Sequence, residues 1–302
     1  MMRLKAFSQS GHVMLGLALL ASAGVATAET RRQGFYAGFE LGFANAADVG
    51  SVNAAVNHPT PCDLLVGGDP TGPGCADMVA QPLSTNSFDL SGGFSGGVSF
   101  GYALKEFRVE LEYLNRSQGG ATSLWKLPGG NTALQSKASE VSALEPPSES
   151  ISDFNSREFF LNAYYDFLND SRWTPYLGGG IGWSRTNLNY RASFLRKTID
   201  QGFPSDKPPA AAGTLSLLDS AFSDLLFGYQ ILGGLDYALG EKVSVGIKGR
   251  WASFNDLEGD TVWKLVRSHA PVRADGVTPF DSALTFSNLD YWALNVDLKY
   301  AF

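Results

Sequence analysis

Residues 289–302 read LDYWALNVDLKYAF, and every second position back from the end is apolar or aromatic: Phe302, Tyr300, Leu298, Val296, Leu294 and Trp292. The interleaved positions, Ala301, Lys299, Asp297, Asn295, Ala293 and Tyr291, are mostly polar and carry two charges. A period of two over this length is a β-strand with two unlike faces. Any fold for this chain must give both faces a compatible environment.

Seven further stretches carry the same alternation. They are 35–43, 88–102, 107–114, 157–167, 174–184, 226–239 and 243–251. In the second, Phe88, Leu90, Phe94, Val98, Phe100 and Tyr102 share one face. In the fourth, Phe160 falls on the inward side with Glu158, Asn162, Tyr164 and Asp166, a side that does not suit it. Three connections are short (103–106, 169–172, 240–241). Four are long (44–87, 117–156, 185–225, 252–288), and long and short alternate strictly. The long segments are rich in Asn, Pro and Gly and read as loops, although 186–194 alternates well enough to prolong a strand.

The expected fold is all-β: an eight-stranded antiparallel transmembrane up-and-down β-barrel with four long extracellular loops. Transmembrane barrels join strands by short turns on one side and long loops on the other, and an even strand count returns both ends to one side. Four such loops would count against an ordinary soluble domain. The alternative is a soluble barrel or sandwich with the apolar face inside. Aromatic residues gathered near strand ends on the apolar face favour the lipid-facing arrangement.

That arrangement sends the ionisable residues inward. An eight-stranded barrel is just wide enough for side chains to fill, and buried charge must be paired or solvated. Basic Arg108, Lys248, Arg250 and Lys299 are therefore expected to meet acidic Glu40, Glu110, Glu112, Glu158, Asp166, Asp236 and Asp297 in an interior network. The small inward residues of the second and fifth strands, such as Gly97, Gly101, Gly178, Gly180 and Gly182, leave room for water.

The N-terminus has the form of a secretory signal. Arg3 and Lys5 precede an apolar run over 13–23, and Ala26-Thr27-Ala28 supplies a small-residue cleavage pattern. The run is too short to span about 30 Å of hydrocarbon as a helix. Residues 1–28 are expected to be a signal peptide and 29–302 the barrel. The formal charge of −7 becomes −9 when Arg3 and Lys5 are removed, and with no basic stripe nucleic acid is not an expected partner. Cys62 and Cys75 are the two cysteines, and in an exported chain they are expected to form a disulfide.

The stretches GFYAGFELGFA (34–44), LNAYYDF (161–167), TPYLGGGIGWS (174–184) and the terminal LKYAF resemble small outer-membrane barrels of the OmpA-transmembrane and opacity-protein type, surface antigens included. That resemblance implies the bacterial outer membrane as location. It implies outer-membrane lipid, lipopolysaccharide and the barrel-assembly machinery as partners, with host or envelope surface ligands at the loops. It also implies that Tyr300 and Phe302 form the C-terminal assembly signal. Members of this type act as antigens, adhesins, envelope-stabilising proteins or minor porins. A structural and surface-recognition role is expected, with a minor porin or small-molecule transporter as the alternative.

No enzymatic activity and no cofactor are expected. His58 and His269 fall in loops, Ser268 and His269 are adjacent and would point apart on a strand, and no Gly-x-Ser-x-Gly turn occurs. Asp256, Glu258 and Asp260 lack calcium-loop spacing and read as a solvated patch. A closed barrel of this kind resists detergent until heated, so the mature protein should migrate differently in SDS gels before and after boiling. Identical mobility would remove the closed-barrel reading.

Overall fold

The computed structural model describes residues 33–55, 69–77, 82–124, 148–195, 215–267, 272–279 and 281–302. Fourteen strands occur among them. Eight form the barrel wall: β1 (Gly34–Ala46), β4 (Gly92–Leu104), β5 (Phe107–Gln118), β7 (Ser148–Asp166), β8 (Trp173–Leu195), β9 (Leu215–Ala238), β10 (Val243–Phe254) and β14 (Tyr291–Ala301). The others are β2 (Val49–Ala55), β3 (Pro82–Phe88), β6 (Ala121–Leu124), β11 (Leu257–Val262), β12 (Lys264–Arg267) and β13 (Asp281–Ser287). Each wall strand pairs antiparallel with its neighbour in chain order, and β14 returns to β1 with Tyr36 opposite Ala301 and Ala46 opposite Tyr291. The sheet thus closes on itself, and Phe302 N donates to Phe35 O at 3.1 Å to finish the seam. No described helix is long and apolar enough to cross a membrane.

The half of the barrel nearest the tight turns wears its apolar face outside. Phe35, Phe39, Leu41 and Phe43 on β1 are exposed, as are Phe94, Val98 and Phe100 on β4 and Trp292, Leu294, Val296 and Leu298 on β14. From Trp292 to Phe302 the strand rises about 33 Å, or about 25 Å of height at a 40° tilt, which matches a lipid-facing band. Aromatic neighbours pair across strands along it: Phe35 stacks on Phe100 at 5.5 Å, and Trp173 lies 4.6 Å from Tyr237.

The room expected for water beside the inward glycines is occupied by side chains. A Cβ on Gly178 would meet Tyr164 Cδ1 at 2.4 Å, one on Gly180 would meet the Asn162 side chain, and one on Gly182 would meet Phe160 Cδ1 at 2.7 Å. Gly101 likewise admits the ring of Tyr36. In a narrow barrel the large inward residues of one strand fit only where the next strand presents hydrogen.

Above this half the chain departs from the loop expectation. Much of 44–87, 117–156, 185–225 and 252–288 is strand. β7, β8 and β9 run on for 19, 23 and 24 residues, well beyond the 9–11 that a tilted strand needs to cross a bilayer. β2, β3, β11 and β13 form a separate four-stranded sheet in the order β11-β13-β2-β3, which joins the first and fourth long connections. Its edge strands pack beside β9 and β6, so an upper wall of eight strands continues the lower one.

Here polarity inverts. The upper interior is an apolar core that includes Val49, Phe88, Leu90, Leu114, Ile151, Phe154, Leu188, Leu218, Phe222, Leu257, Leu284 and Phe286. The outward positions of the same strands become polar, as at Arg185, Asn189 and Arg191 on β8. Two expectations are corrected. Phe88 and Leu90 do not share the outward face of Phe94; both are buried, because Ser91 at φ 57° redirects the chain before β4 begins. Phe160 does point inward, but its surroundings are aromatic: it marks the floor of the upper core and packs 5.9 Å from Phe254.

A methyl group at Gly182 would come within 2.0 Å of Phe159 O, so Gly182→Ala should destabilise the barrel by about 1–3 kcal/mol through overpacking. Urea unfolding of the lipid-reconstituted protein, followed by tryptophan fluorescence, measures this. An unchanged midpoint would mean the interior is looser than described.

Candidate functional site: the interior charge network and the loop cap

Alternation along six strands brings the expected ionisable residues together in the lower interior. At its centre, Lys248 Nζ lies 2.7 Å from Glu40 Oε2 and 3.0 Å from Glu112 Oε1. Glu110 Oε1 is 3.8 Å away. Arg250 Nη2 reaches Glu40 at 2.6 Å and Glu112 at 2.8 Å, while its Nη1 donates to Glu112 Oε2 at 3.1 Å. Arg250 is 1% exposed, yet it bridges carboxylates from β1 and β5 out of β10.

Neutral groups complete the shell. Gln230 Nε2 donates to Glu112 at 3.0 Å and to Asn162 Oδ1 at 2.7 Å, and Asn295 Nδ2 donates to Glu40 at 2.9 Å. The hydroxyls of Tyr36 and Tyr164 each donate to Glu110 at 2.8 Å. Buried ion pairs are tolerable only when their remaining lone pairs and protons are satisfied in this way.

Nearer the tight turns lies a second group. Arg108 pairs with Asp166 at 2.9 Å and Asp236 at 3.5 Å; Lys299 pairs with Asp236 at 2.7 Å and Asp297 at 2.6 Å. The Arg108 guanidinium lies 4.8 Å from each of the Tyr164 and Tyr176 ring centres, a cation–π arrangement. Glu158 stands apart from both groups. It pairs with Arg116 at 3.1 Å and accepts from Tyr291 at 2.6 Å. Arg116 was not among the expected residues, because it sits beyond the clear alternation of 107–114. Its even number, in phase with Arg108, Glu110 and Glu112, was the available signal.

The upper barrel holds one more buried carboxylate that the periodicity did not single out. Glu149 accepts from Asn86 Nδ2 at 3.1 Å and from the Ser84 hydroxyl. Burial, and then this carboxylate, push the Tyr190 hydroxyl well above the ordinary tyrosine range.

On top, two turns clasp each other. Arg273 Nη2 reaches Asp77 Oδ2 at 2.6 Å, and Ala274 N donates to Asp77 Oδ1 at 2.7 Å. The Ala274 amide and the guanidinium hold the Asp77 carboxyl below the usual range. Asp275 is lowered to about 2 by the hydroxyl and amide of Thr278. Cys75 belongs to the 69–77 turn and is not a free thiol; Cys62 lies outside the described residues, as do the expected signal peptide, His58 and His269. Asp256, Glu258 and Asp260 are exposed. Tyr300 and Phe302 face outward with their rings 5.5 Å apart.

The family model described as outer membrane protein beta-barrel domain matches residues 14–302. No curated protein matches the sequence. Among solved structures, the chain is similar to Neisserial surface protein A (16% identity, 89% of this chain and 97% of that one, TM-score 0.38). It is similar also to the outer membrane protease OmpT from Escherichia coli (12%, 91% and 100%, 0.43), and to OprG from Pseudomonas aeruginosa (13%, 89% and 97%, 0.41). Likeness at these scores carries no argument about activity.

Removing one member of a buried ionic cluster strands its partners. Arg250→Met should therefore cost about 3–5 kcal/mol, with part of the loss recovered by adding Glu112→Gln. Urea unfolding in lipid bilayers checks both. A cost below about 1 kcal/mol would mean that water, and not Arg250, compensates Glu40 and Glu112.

Proposed function

Since the chain belongs to the outer membrane protein β-barrel family and resides in the bacterial outer membrane, we propose that it is a non-enzymatic surface-recognition protein whose barrel is a filled pedestal for a structured cap. The observation that carries this reading is the double filling of the interior. At membrane level the space is taken by hydrogen-bonded ions and rings, and above it by an apolar core. A solute path along the axis would have to break both, at a cost of several buried ion pairs and the upper core's packing.

The cap has the properties of a presented surface. The first and fourth long connections share one sheet, and the Asp77–Arg273 clasp holds their turns together. A Cys62–Cys75 disulfide would close a loop of about 14 residues, worth roughly 3 kcal/mol by chain entropy, and would stiffen the same edge. Order imposed before binding lowers the entropy lost on engaging a partner. Lipopolysaccharide, the assembly machinery acting through Tyr300 and Phe302, and host or envelope ligands at the cap are the partners this role calls for.

Planar-bilayer recording of the purified mature protein tests the reading against a porin or transporter. No reproducible conductance is expected from the native protein. Steady single-channel currents that persist with the cap's disulfide intact would replace the pedestal with a pore.

A further inference from the structure

Among the described residues, the outer surface carries a like-charged pair that neither the filled interior nor the cap uses. On β7 and β8, Arg157 and Arg185 are direct cross-strand partners, and both side chains are exposed on the outward face. Residues directly opposite on one face of an antiparallel pair have Cβ atoms about 4.5–5.5 Å apart, and like charges so placed repel. No ion pair to either guanidinium is present among the described residues. Their other neighbours across the sheet are neutral: Asn115 beside Arg157 and Leu225 beside Arg185. The contrast is Arg191, six residues further along β8, which faces Asp219 on β9.

Depth makes the pair specific. Two residues toward the membrane, the next outward pair is Phe159 opposite Trp183, 60% and 52% exposed and part of the aromatic margin. Two residues away from it, the outward pair is Asn155 opposite Asn187. The arginines therefore stand about 5 Å above the aromatic margin along a tilted strand. This is the headgroup layer on the side of the long connections, and hence of the outer leaflet.

We propose that Arg157 and Arg185 form a two-guanidinium clamp for the phosphate of an outer-leaflet lipid. The fork geometry of arginine suits bidentate phosphate binding, and two neighbouring forks present more donors than one phosphate can use. The acyl chains of the same lipid would lie along Phe159, Leu161, Ile181 and Trp183, which are exposed directly below. An anion between the guanidiniums turns a repulsive cross-strand pair into an attractive three-body contact. The clamp rests on membrane placement of the barrel and is independent of what the cap recognises.

The test uses the folded mature protein in neutral detergent and native mass spectrometry to count retained lipid. The probes are a diphosphorylated acyl-glucosamine disaccharide and its phosphate-free counterpart. The native protein should retain the phosphorylated probe on the order of tenfold better, as expected for a charge-assisted contact. Arg157→Gln with Arg185→Gln should abolish that preference, whereas Arg191→Gln, whose charge faces Asp219, should keep it. Equal retention of the two probes by the native protein would overturn the clamp, and so would a preference surviving in the double variant. Displacement by millimolar inorganic phosphate would make it a free-anion site and overturn the lipid assignment. Heat-dependent gel mobility verifies folding of each variant. Should the double variant not fold, the single variants and the native protein's choice between probes still decide the matter.

Discussion

A backbone amide or carbonyl left unpaired in hydrocarbon costs several kcal/mol, so a sheet placed there must have no edge. The β14–β1 seam meets that demand, and much of the remaining structure follows from it. Closure at eight strands leaves an interior only one or two side chains wide. The alternation that puts Phe, Leu and Trp against lipid delivers Glu40, Glu112, Lys248 and Arg250 to that interior. Glycines opposite the rings are the steric counterpart of the same narrowness.

Where the surroundings change from lipid to water, the demand on each face reverses. On β8 this happens without any slip in the strand. Odd positions are apolar through Ile181 and Trp183 and become polar at Arg185, Asn187 and Asn189, while even positions pass from Gly182 to Leu188 and Tyr190. One continuous strand thus belongs to an inside-out barrel below and to an ordinary apolar-cored barrel above. The lipid-facing reading holds for the alternating stretches themselves, whose outward apolar residues are exposed and whose ionisable residues are buried; the apolar core above belongs to strand extensions and short strands beyond them. The same change of surroundings explains why Arg157 and Arg185 stand two residues beyond Phe159 and Trp183.

The lower half was largely legible. Strict period two over 35–43, 107–114 and 289–302 identified the wall and the inward set, because a strand has only two faces and assigning one assigns the other. Arg116 and Glu149 escaped because they lie where the apolar phase weakens, and the upper sheet escaped for a related reason. β2, β3, β11 and β13 are short and interrupted by Asn, Ser and Gly. β2 pairs β3 and β11 pairs β13 within their own connections, but the two halves become one sheet only across the barrel mouth, where β2 meets β13 more than two hundred residues away, as at Val52 and Thr285. Local composition cannot report such pairing. Phe160 was the one inward residue whose character disagreed with its neighbours, and it marks the level at which the interior changes.

By itself the sequence determined the eight wall strands, their alternating faces and most of the ionisable groups that turn inward, since these depend on residue parity and connection length alone. Only the tertiary structure decided which carboxylate meets which cation, that rings fill the space beside the glycines, and that the long connections build an apolar-cored upper wall. Those outcomes depend on register around a closed ring and on contacts between distant segments, and neither quantity is written in the period of any one strand.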